Sequence, residues 1–313
     1  MTRVAVVDIG TNSTRLYIAD VKDGRIERSL LRRTIVTRLG AGVDASGHLH
    51  PDSMQRVYDT VDEYRRQIDE HEVDARVAVL TSAVRDAADG DEFAAELEAR
   101  FAITPRVLTG DEEARLTFLG ATSERDPGDA TPILVSDIGG GSTELIVGRG
   151  REAGWHVSTQ AGVVRQSERH IHTDPPTPAE LQELAADARE ILAAAVPESV
   201  RGSVRHGISV AGTPTSLAAI AQRLDPYDPA RVHGYVLSAA ACEEQLALLA
   251  ALPLDRRREV TGLHPDRAPT IVAGVVILLE VLRLFDLDAV EVSEHDILRG
   301  AALGLGLEAR DSS

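Results

Sequence analysis

The sequence predicts an α/β fold made of duplicated domains flanking a cleft, and three observations predict it. A turn of small residues occurs twice in matching surroundings. Each copy opens on an apolar run that doubles back, and each is followed by alternating helix and strand patterns. Asp8 aligns with Asp137, Ile9 with Ile138, Gly10 with Gly139, Ser13 with Ser142, Thr14 with Thr143 and Leu16 with Leu145. The offset is a constant 129 (137 less 8), a register that chance does not keep.

In each copy an apolar strand meets a tight turn rich in Gly, Asn and Ser. It returns as an alternating strand over Leu16–Asp20 or Leu145–Gly148, which is the hairpin signal. Third strands follow over Arg25–Thr34 and Gly154–Thr159. In the first half, helical periodicity over Asp52–Glu70 leads to a strand at Val77–Thr81, a helix near Asp91–Phe101, a strand at Arg106–Leu108 and a helix at Asp111–Leu119. The second half repeats this grammar with a helix at Pro178–Ala195, a strand at His206–Val210 and a helix at Pro214–Leu224. Two helices between Ser238 and Val260, the apolar helix Thr270–Phe285, a strand at Ala289–Val292 and a closing helix from Ile297 complete it. The polar stretch Ser123–Asp129 has linker composition. Residues 1–127 are therefore expected as the first domain, with helix 297–309 a candidate to complete it, and residues 128–296 as the second.

At 313 residues and 43% hydrophobic content the chain can bury two full cores. Its net charge of −17 argues against nucleic acid and anionic membrane as partners, which require an excess of cations on the binding face. Lys22 is the only lysine among 33 basic residues, so positive charge is almost entirely guanidinium, suited to phosphate but not to Schiff-base chemistry. No Gly-rich loop ends in Gly-Lys-Ser/Thr, which removes the P-loop. The single Cys242 excludes a disulfide framework and a thiolate metal site. No signal peptide is recognised before the first apolar run, and Ile271–Phe285 carries Glu280 and Arg283 and is too short to span a bilayer. A soluble, cytoplasmic setting is the expectation.

The segments Asp8–Ser13, Thr81–Arg85, Gly110–Arg115, Asp137–Glu144, Ala211–Thr213 and Leu298–Gly300 together resemble the exopolyphosphatase and guanosine-pentaphosphate phosphatase family. That family lies within the actin, sugar-kinase and Hsp70 superfamily of ribonuclease H-like domains. The resemblance covers essentially the whole chain and implies the short two-domain form. It implies hydrolysis of the terminal phosphoanhydride of inorganic polyphosphate, with short chains expected, or of pppGpp to ppGpp, and it implies a homodimer. A kinase or ATPase of the same superfamily and a non-catalytic polyphosphate or ppGpp sensor are the rival readings.

Such a reaction needs a positioned water, a carboxylate to activate it and neutralisation of the phosphoryl oxygens. By resemblance Glu113 is the activating carboxylate; read from composition alone it is an acidic residue complementing a helix N-terminus. Its neighbour Glu112, about 100° away on the helix, is expected to be structural. Arg85 matches the family's Thr-x-x-x-Arg segment and is expected as the guanidinium clamp for the terminal phosphate, with a solvated surface arginine as the alternative. Asp137 and Glu144 flank the second glycine turn and by resemblance hold either the metal, Mg²⁺ or Mn²⁺, or the water, with Asp8 contributing through water. The alternative for both aspartates is an Asx turn. Asn12, Ser13, Gly139, Gly140, Gly141 and Ser142 are assigned phosphate contacts through backbone N–H or hydroxyl. Gly212 and Thr213 are assigned a further phosphate at a helix start, and Arg299 is added by resemblance only. Arg32, Arg33, Arg38, Arg165 and Arg169 rank low as a track for the polymer, since surface charge is usually solvation. The histidines, His170 and His172 among them, show no ligand spacing and are read as structural or solvent-facing; His295-Asp296 lacks the further His and Asp residues of a metal cage.

Overall fold

The computed structural model describes residues 1–311, and the chain divides into two compact units. One comprises Met1–Ser123 and the chain from Ile297 on; the other is Glu124–Asp296.

The first unit is built on five strands, β1 (Thr2–Ile9), β2 (Ser13–Lys22), β3 (Arg25–Val36), β4 (Ala75–Leu80) and β5 (Pro105–Val107), in the order β3-β2-β1-β4-β5. The β1–β2 and β2–β3 pairs are antiparallel hairpin neighbours, while β4 and β5 join in parallel through helical crossovers. Because side chains alternate across a sheet, β1 serves two cores at once. Ala5, Val7 and Ile9 pack with Val57, Tyr64, Phe93 and Leu97 from the helices Pro51–Glu70 and Gly90–Phe101. Val4 and Val6 face the other way, onto Leu298, Ala301 and Ala302 of the last helix, Ile297–Asp311. Asp8 shares the parity of Val4 and Val6, so the sheet delivers it to the side covered by that helix.

The second unit repeats the plan with β6 (Ile133–Ile138), β7 (Thr143–Arg149), β8 (Glu152–Thr159), β9 (His206–Val210), β10 (Val236–Ser238) and β11 (Ala289–Val292), ordered β10-β11-β9-β6-β7-β8. From the meander edge, β8-β7-β6-β9-β11 reproduces β3-β2-β1-β4-β5. This is the ribonuclease H-like arrangement the duplication predicts, with β10 added antiparallel at the far edge. Leu134, Ile138 and Leu145 face one core together with the apolar helix Ile271–Phe285. Within that helix Glu280 is buried, and its charge is met by Arg189 at 2.8 Å and Arg283 at 2.6 Å. Cys242 is buried as a small apolar residue, and burial pushes its thiol up to about 12. Among the described residues no helix is long and apolar enough to cross a membrane.

Several elements lay below the sequence signal. The helix Ser82–Asp86 has only five residues, too few to show a period, and the helix Val163–His170 opens on two β-branched valines. Both flank glycine or hairpin turns and fix their geometry.

Candidate active site

The first unit gathers its chemistry at the carboxyl ends of β1 and β4. Asp8 and Arg15 are direct cross-strand partners, so both side chains leave the same face of the sheet. Asp8 is 2% exposed, and Arg15 reaches its Oδ2 through Nη2 at 2.6 Å and Nε at 2.7 Å. The intervening turn is held by its carbonyls. Gly40 N–H donates to the Thr11 carbonyl at 2.9 Å, and the amides of Thr37 and Arg38 donate to the Asn12 carbonyl at 3.1 and 3.0 Å. A trans peptide points its N–H opposite its own carbonyl, so the amides of Asn12 and Ser13 face away from the 37–40 segment. Thr11 Oγ1 and Ser82 Oγ, 2.9 Å apart, tie this turn to the one after β4.

Glu113 lies in the first turn of the helix Gly110–Ala121. Thr109 caps that helix in a reciprocal box: its hydroxyl accepts from Glu112 N–H at 3.2 Å, and the Glu112 carboxylate accepts from Thr109 N–H at 2.9 Å. Those bonds, the Thr109 N–H foremost, hold the Glu112 carboxyl below its ordinary value, and they make Glu112 the structural member of the pair. One residue on, Glu113 turns inward and is 7% exposed. Arg85 Nη1 donates to Glu113 Oε2 at 2.9 Å and to the Leu108 carbonyl at 2.9 Å, so the guanidinium is oriented from two sides. Burial pushes the Glu113 carboxyl up; Arg85 opposes this, while the charges of Asp8 and Asp86 add to it. A carboxyl raised by burial and kept ionisable by one guanidinium is a stronger proton acceptor than an exposed glutamate. Arg299, in the first turn of the last helix, donates from Nε to Ser123 Oγ at 2.7 Å.

The second unit places the duplicated residues at the same register. Asp137 and Glu144 are direct cross-strand partners, 9% and 2% exposed, and Glu144 Oε1 accepts from Ser158 Oγ on β8 at 2.8 Å. Two carboxylates side by side on adjacent strands repel each other. A divalent cation relieves that repulsion, and an all-oxygen donor pair suits Mg²⁺ or Mn²⁺, so these residues fit the expected metal.

The Gly139–Ser142 turn is clamped from the helix Val163–His170. Val163 N–H donates to the Gly139 carbonyl at 2.9 Å and Val164 N–H to the Gly140 carbonyl at 2.8 Å, which turns the amides of Gly140 and Gly141 away from that helix. Gly162 permits this approach: a Cβ there would lie 2.2 Å from the Gly141 carbonyl carbon. The clamping helix is itself tethered. Asp187 Oδ2 accepts from Gln166 Nε2 at 2.9 Å and Arg169 Nη1 at 3.1 Å, and lies 3.0 Å from His170 Nε2. His170 is thus structural, as the sequence suggested.

Val210 pairs with Asp137, so the Ala211–Thr213 turn sits beside the metal candidates. Ala211 caps the helix Gly212–Ala221 at φ 73° and ψ −170°, a region essentially reserved for glycine. Such strain concentrates at functional turns, and an alanine gave no hint of it in the sequence. The Arg267 guanidinium occupies the space a Gly212 Cβ would need, its Nη1 lying 1.2 Å from that position.

Within the first unit the structure thus brings Asp8, Arg85 and Glu113 together beside the Asn12–Ser13 turn. Within the second it brings Asp137 and Glu144 together with Gly140, Gly141, Ser142, Gly212 and Thr213; Gly139 lies in the same turn, but its N–H donates to the Ser142 carbonyl at 2.9 Å and is not offered to phosphate. The tether Asp187, the clamp Gly162 and the neighbour Arg267 carried no motif.

Comparisons with known proteins agree on one family. Residues 17–305 match the Ppx/GppA phosphatase family. The chain is 37% identical over 317 residues to a Mycobacterium tuberculosis protein named exopolyphosphatase 2, covering 97% of this chain and 99% of that one. The crystal structure of the Aquifex aeolicus member of the Ppx/GppA family is similar with a TM-score of 0.82 at 31% identity, over 98% of both chains. That of an exopolyphosphatase from Cytophaga hutchinsonii reaches 0.87 at 27% identity, also over 98% of both. By sequence and by fold alike, this chain belongs to the Ppx/GppA phosphatase family.

Proposed function

We propose that this protein is an exopolyphosphatase that hydrolyses the terminal phosphoanhydride of inorganic polyphosphate and releases orthophosphate. The observation that carries the reading is Glu113, a buried carboxylate with a raised proton affinity, bonded at 2.9 Å to the Arg85 guanidinium. The family, and the exopolyphosphatase name of its M. tuberculosis relative, supply the reaction class.

In this reading Glu113 takes a proton from a water whose oxygen attacks the terminal phosphorus. The bond to the bridging oxygen breaks, that oxygen leaves with the shortened chain, and Arg85 bears on the charge of the transferred group. The amides of Asn12, Ser13, Gly140 and Gly141, the Ser142 hydroxyl, and Gly212, Thr213 and Arg299 hold phosphate oxygens. Asp137 and Glu144 hold Mg²⁺ or Mn²⁺, with Asp8 acting through water. When bound, the metal neutralises phosphate charge.

Short polyphosphate is the preferred form, because a chain of net charge −17 repels a long polyanion everywhere outside a local site. The protein acts in the cytoplasm, consistent with a lone, buried cysteine, and as a homodimer, which sedimentation checks.

The test is metal-dependent phosphate release from short polyphosphate, long polyphosphate, pppGpp and ATP by wild type and Glu113→Gln. Turnover of polyphosphate that falls by roughly 10²–10⁴-fold in the variant, with the fold intact, is expected. Preferential release from pppGpp or ATP, binding without turnover, or full activity in the variant overturns the reading.

A further inference from the structure

Away from these residues, the second unit brings together three side chains that no motif connects. His233, His295 and Glu124 each offer a ligand atom, and these atoms all lie within 4.8 Å of one another, the one such grouping found among the described residues. The two imidazole rings lie with centroids 4.1 Å apart, tilted at an interplanar angle of 37°. Glu124 Oε2 lies 3.8 Å from His233 Nε2, and its Oε1 lies 3.9 Å from His295 Nδ1. Both separations exceed a hydrogen bond, so the three groups converge without closing on one another.

We propose that Glu124, His233 and His295 form a second cation site, selective for a zinc-class transition metal. Imidazole nitrogen favours Zn²⁺, Ni²⁺, Co²⁺ and Cu²⁺, whereas the Asp137–Glu144 oxygen pair favours Mg²⁺ and Mn²⁺, so the two sites sort ions by donor chemistry. At metal–ligand lengths of about 2.0–2.2 Å, tetrahedral ligands sit roughly 3.3–3.5 Å apart. The side chains therefore close by little more than an ångström, and water completes the coordination.

Two features preorganise the site. Ser293 Oγ accepts from His295 N–H at 2.9 Å and donates to the His295 carbonyl at 3.1 Å, fixing that backbone. Tyr227 bonds Glu294 next to it. The His233 ring must change its bonding: Glu294 N–H donates to His233 Nδ1 at 3.3 Å, placing the ring proton on Nε2, the nitrogen that faces Glu124. Ligation moves that proton to Nδ1 or rotates the ring. A 3.3 Å contact is longer than ordinary N–H hydrogen bonds and is readily exchanged for coordination.

The placement gives the site a purpose. Glu124 is the first residue of the second unit and His295 immediately precedes its last, Asp296. A bound ion ties the unit's beginning to its end and to the His233 loop, closing a long stretch of chain.

The test is calorimetric titration of the full chain with Zn²⁺ in excess Mg²⁺, which occupies the carboxylate pair, paralleled by Co²⁺ absorption and melting. One equivalent per chain is expected, with visible Co²⁺ bands of nitrogen-rich coordination. At a hundredfold excess over Kd, melting should rise by roughly 5–10 °C. The double variant His233→Ala/His295→Ala should lose the site. Glu124→Gln, a change at an exposed position that leaves the fold intact, should weaken binding by at least about tenfold. His172→Ala, at an exposed position outside this grouping, should bind as wild type. Absence of stoichiometric Zn²⁺ binding, or equal affinity in Glu124→Gln and wild type, overturns the proposal.

Discussion

The two hairpin turns share one register but differ at Thr11/Gly140, Asn12/Gly141 and Arg15/Glu144, and the last of these changes the charge. In the first, Asp8 faces Arg15 across the strand pair; in the second, at the identical register, Asp137 faces Glu144. The first copy thus neutralises its aspartate with a guanidinium from its own chain. The second sets two acidic groups side by side and is the copy suited to recruit an external cation. The Arg/Glu difference at this register separates a turn whose aspartate is paired with a guanidinium from one in which two carboxylates face each other. The turns differ in support as well: the first is held by the 37–40 segment, the second by a helix N-terminus.

This contrast can be broken at either end. At the second turn, Glu144→Gln removes one of the two facing charges. The Mg²⁺ concentration for half-maximal activity should rise by at least about tenfold, read from phosphate release across a Mg²⁺ series; an unchanged requirement would detach the metal from this pair. At the first turn, Arg15→Leu leaves the buried Asp8 charge without its guanidinium. Denaturant unfolding should show a loss of about 3–5 kcal/mol, since stripping one partner from a buried pair strands the other. Asp187→Ala releases the helix that clamps the Gly139–Ser142 turn. It should cost about 1–3 kcal/mol through loss of the Gln166 bond and raise KM more than it lowers kcat, while Asp187→Asn recovers part of both.

The smallest effect concerns pH. Glu113 must be ionised to take a proton, so activity falls as pH drops through its raised value, and the acid limb lies above the ordinary glutamate range. Stability runs the other way. The folded state holds this proton more tightly than the unfolded chain, so the contribution is present below the unfolded value and is lost as pH rises through the folded one. Asp86→Asn deletes a neighbouring charge that raises Glu113 and should move the acid limb of the pH–rate profile to lower pH. A limb that stays in place would mean another group governs it.

Much of the site was legible because it is local. The repeat is a pattern of adjacent residues, and the 129-residue offset of Asp8 from Asp137 already gave the sister hairpins and their shared register. Glu112 and Glu113 could be told apart because neighbouring helical residues point in different directions, and the Thr109 box bears that out. The histidines were read as lacking ligand spacing, and in sequence they do. His233 and His295 meet Glu124 only because β11 leads the chain back to where the second unit begins. Ala211 adopts a glycine-only conformation that no side chain announces, and Asp187 reaches the glycine turn only through an intervening helix.

By itself the sequence determined the duplicated α/β plan, the two turns and the acidic residues at their edges, since hydrophobic period and turn chemistry act between near neighbours. Tertiary structure alone decided which charges meet: that Asp8 is neutralised by Arg15, that Glu113 is buried against Arg85, and that two histidines and a glutamate from distant segments converge. Proton affinity and metal preference depend on desolvation and on groups within a few ångströms, and those distances exist only once the chain has folded.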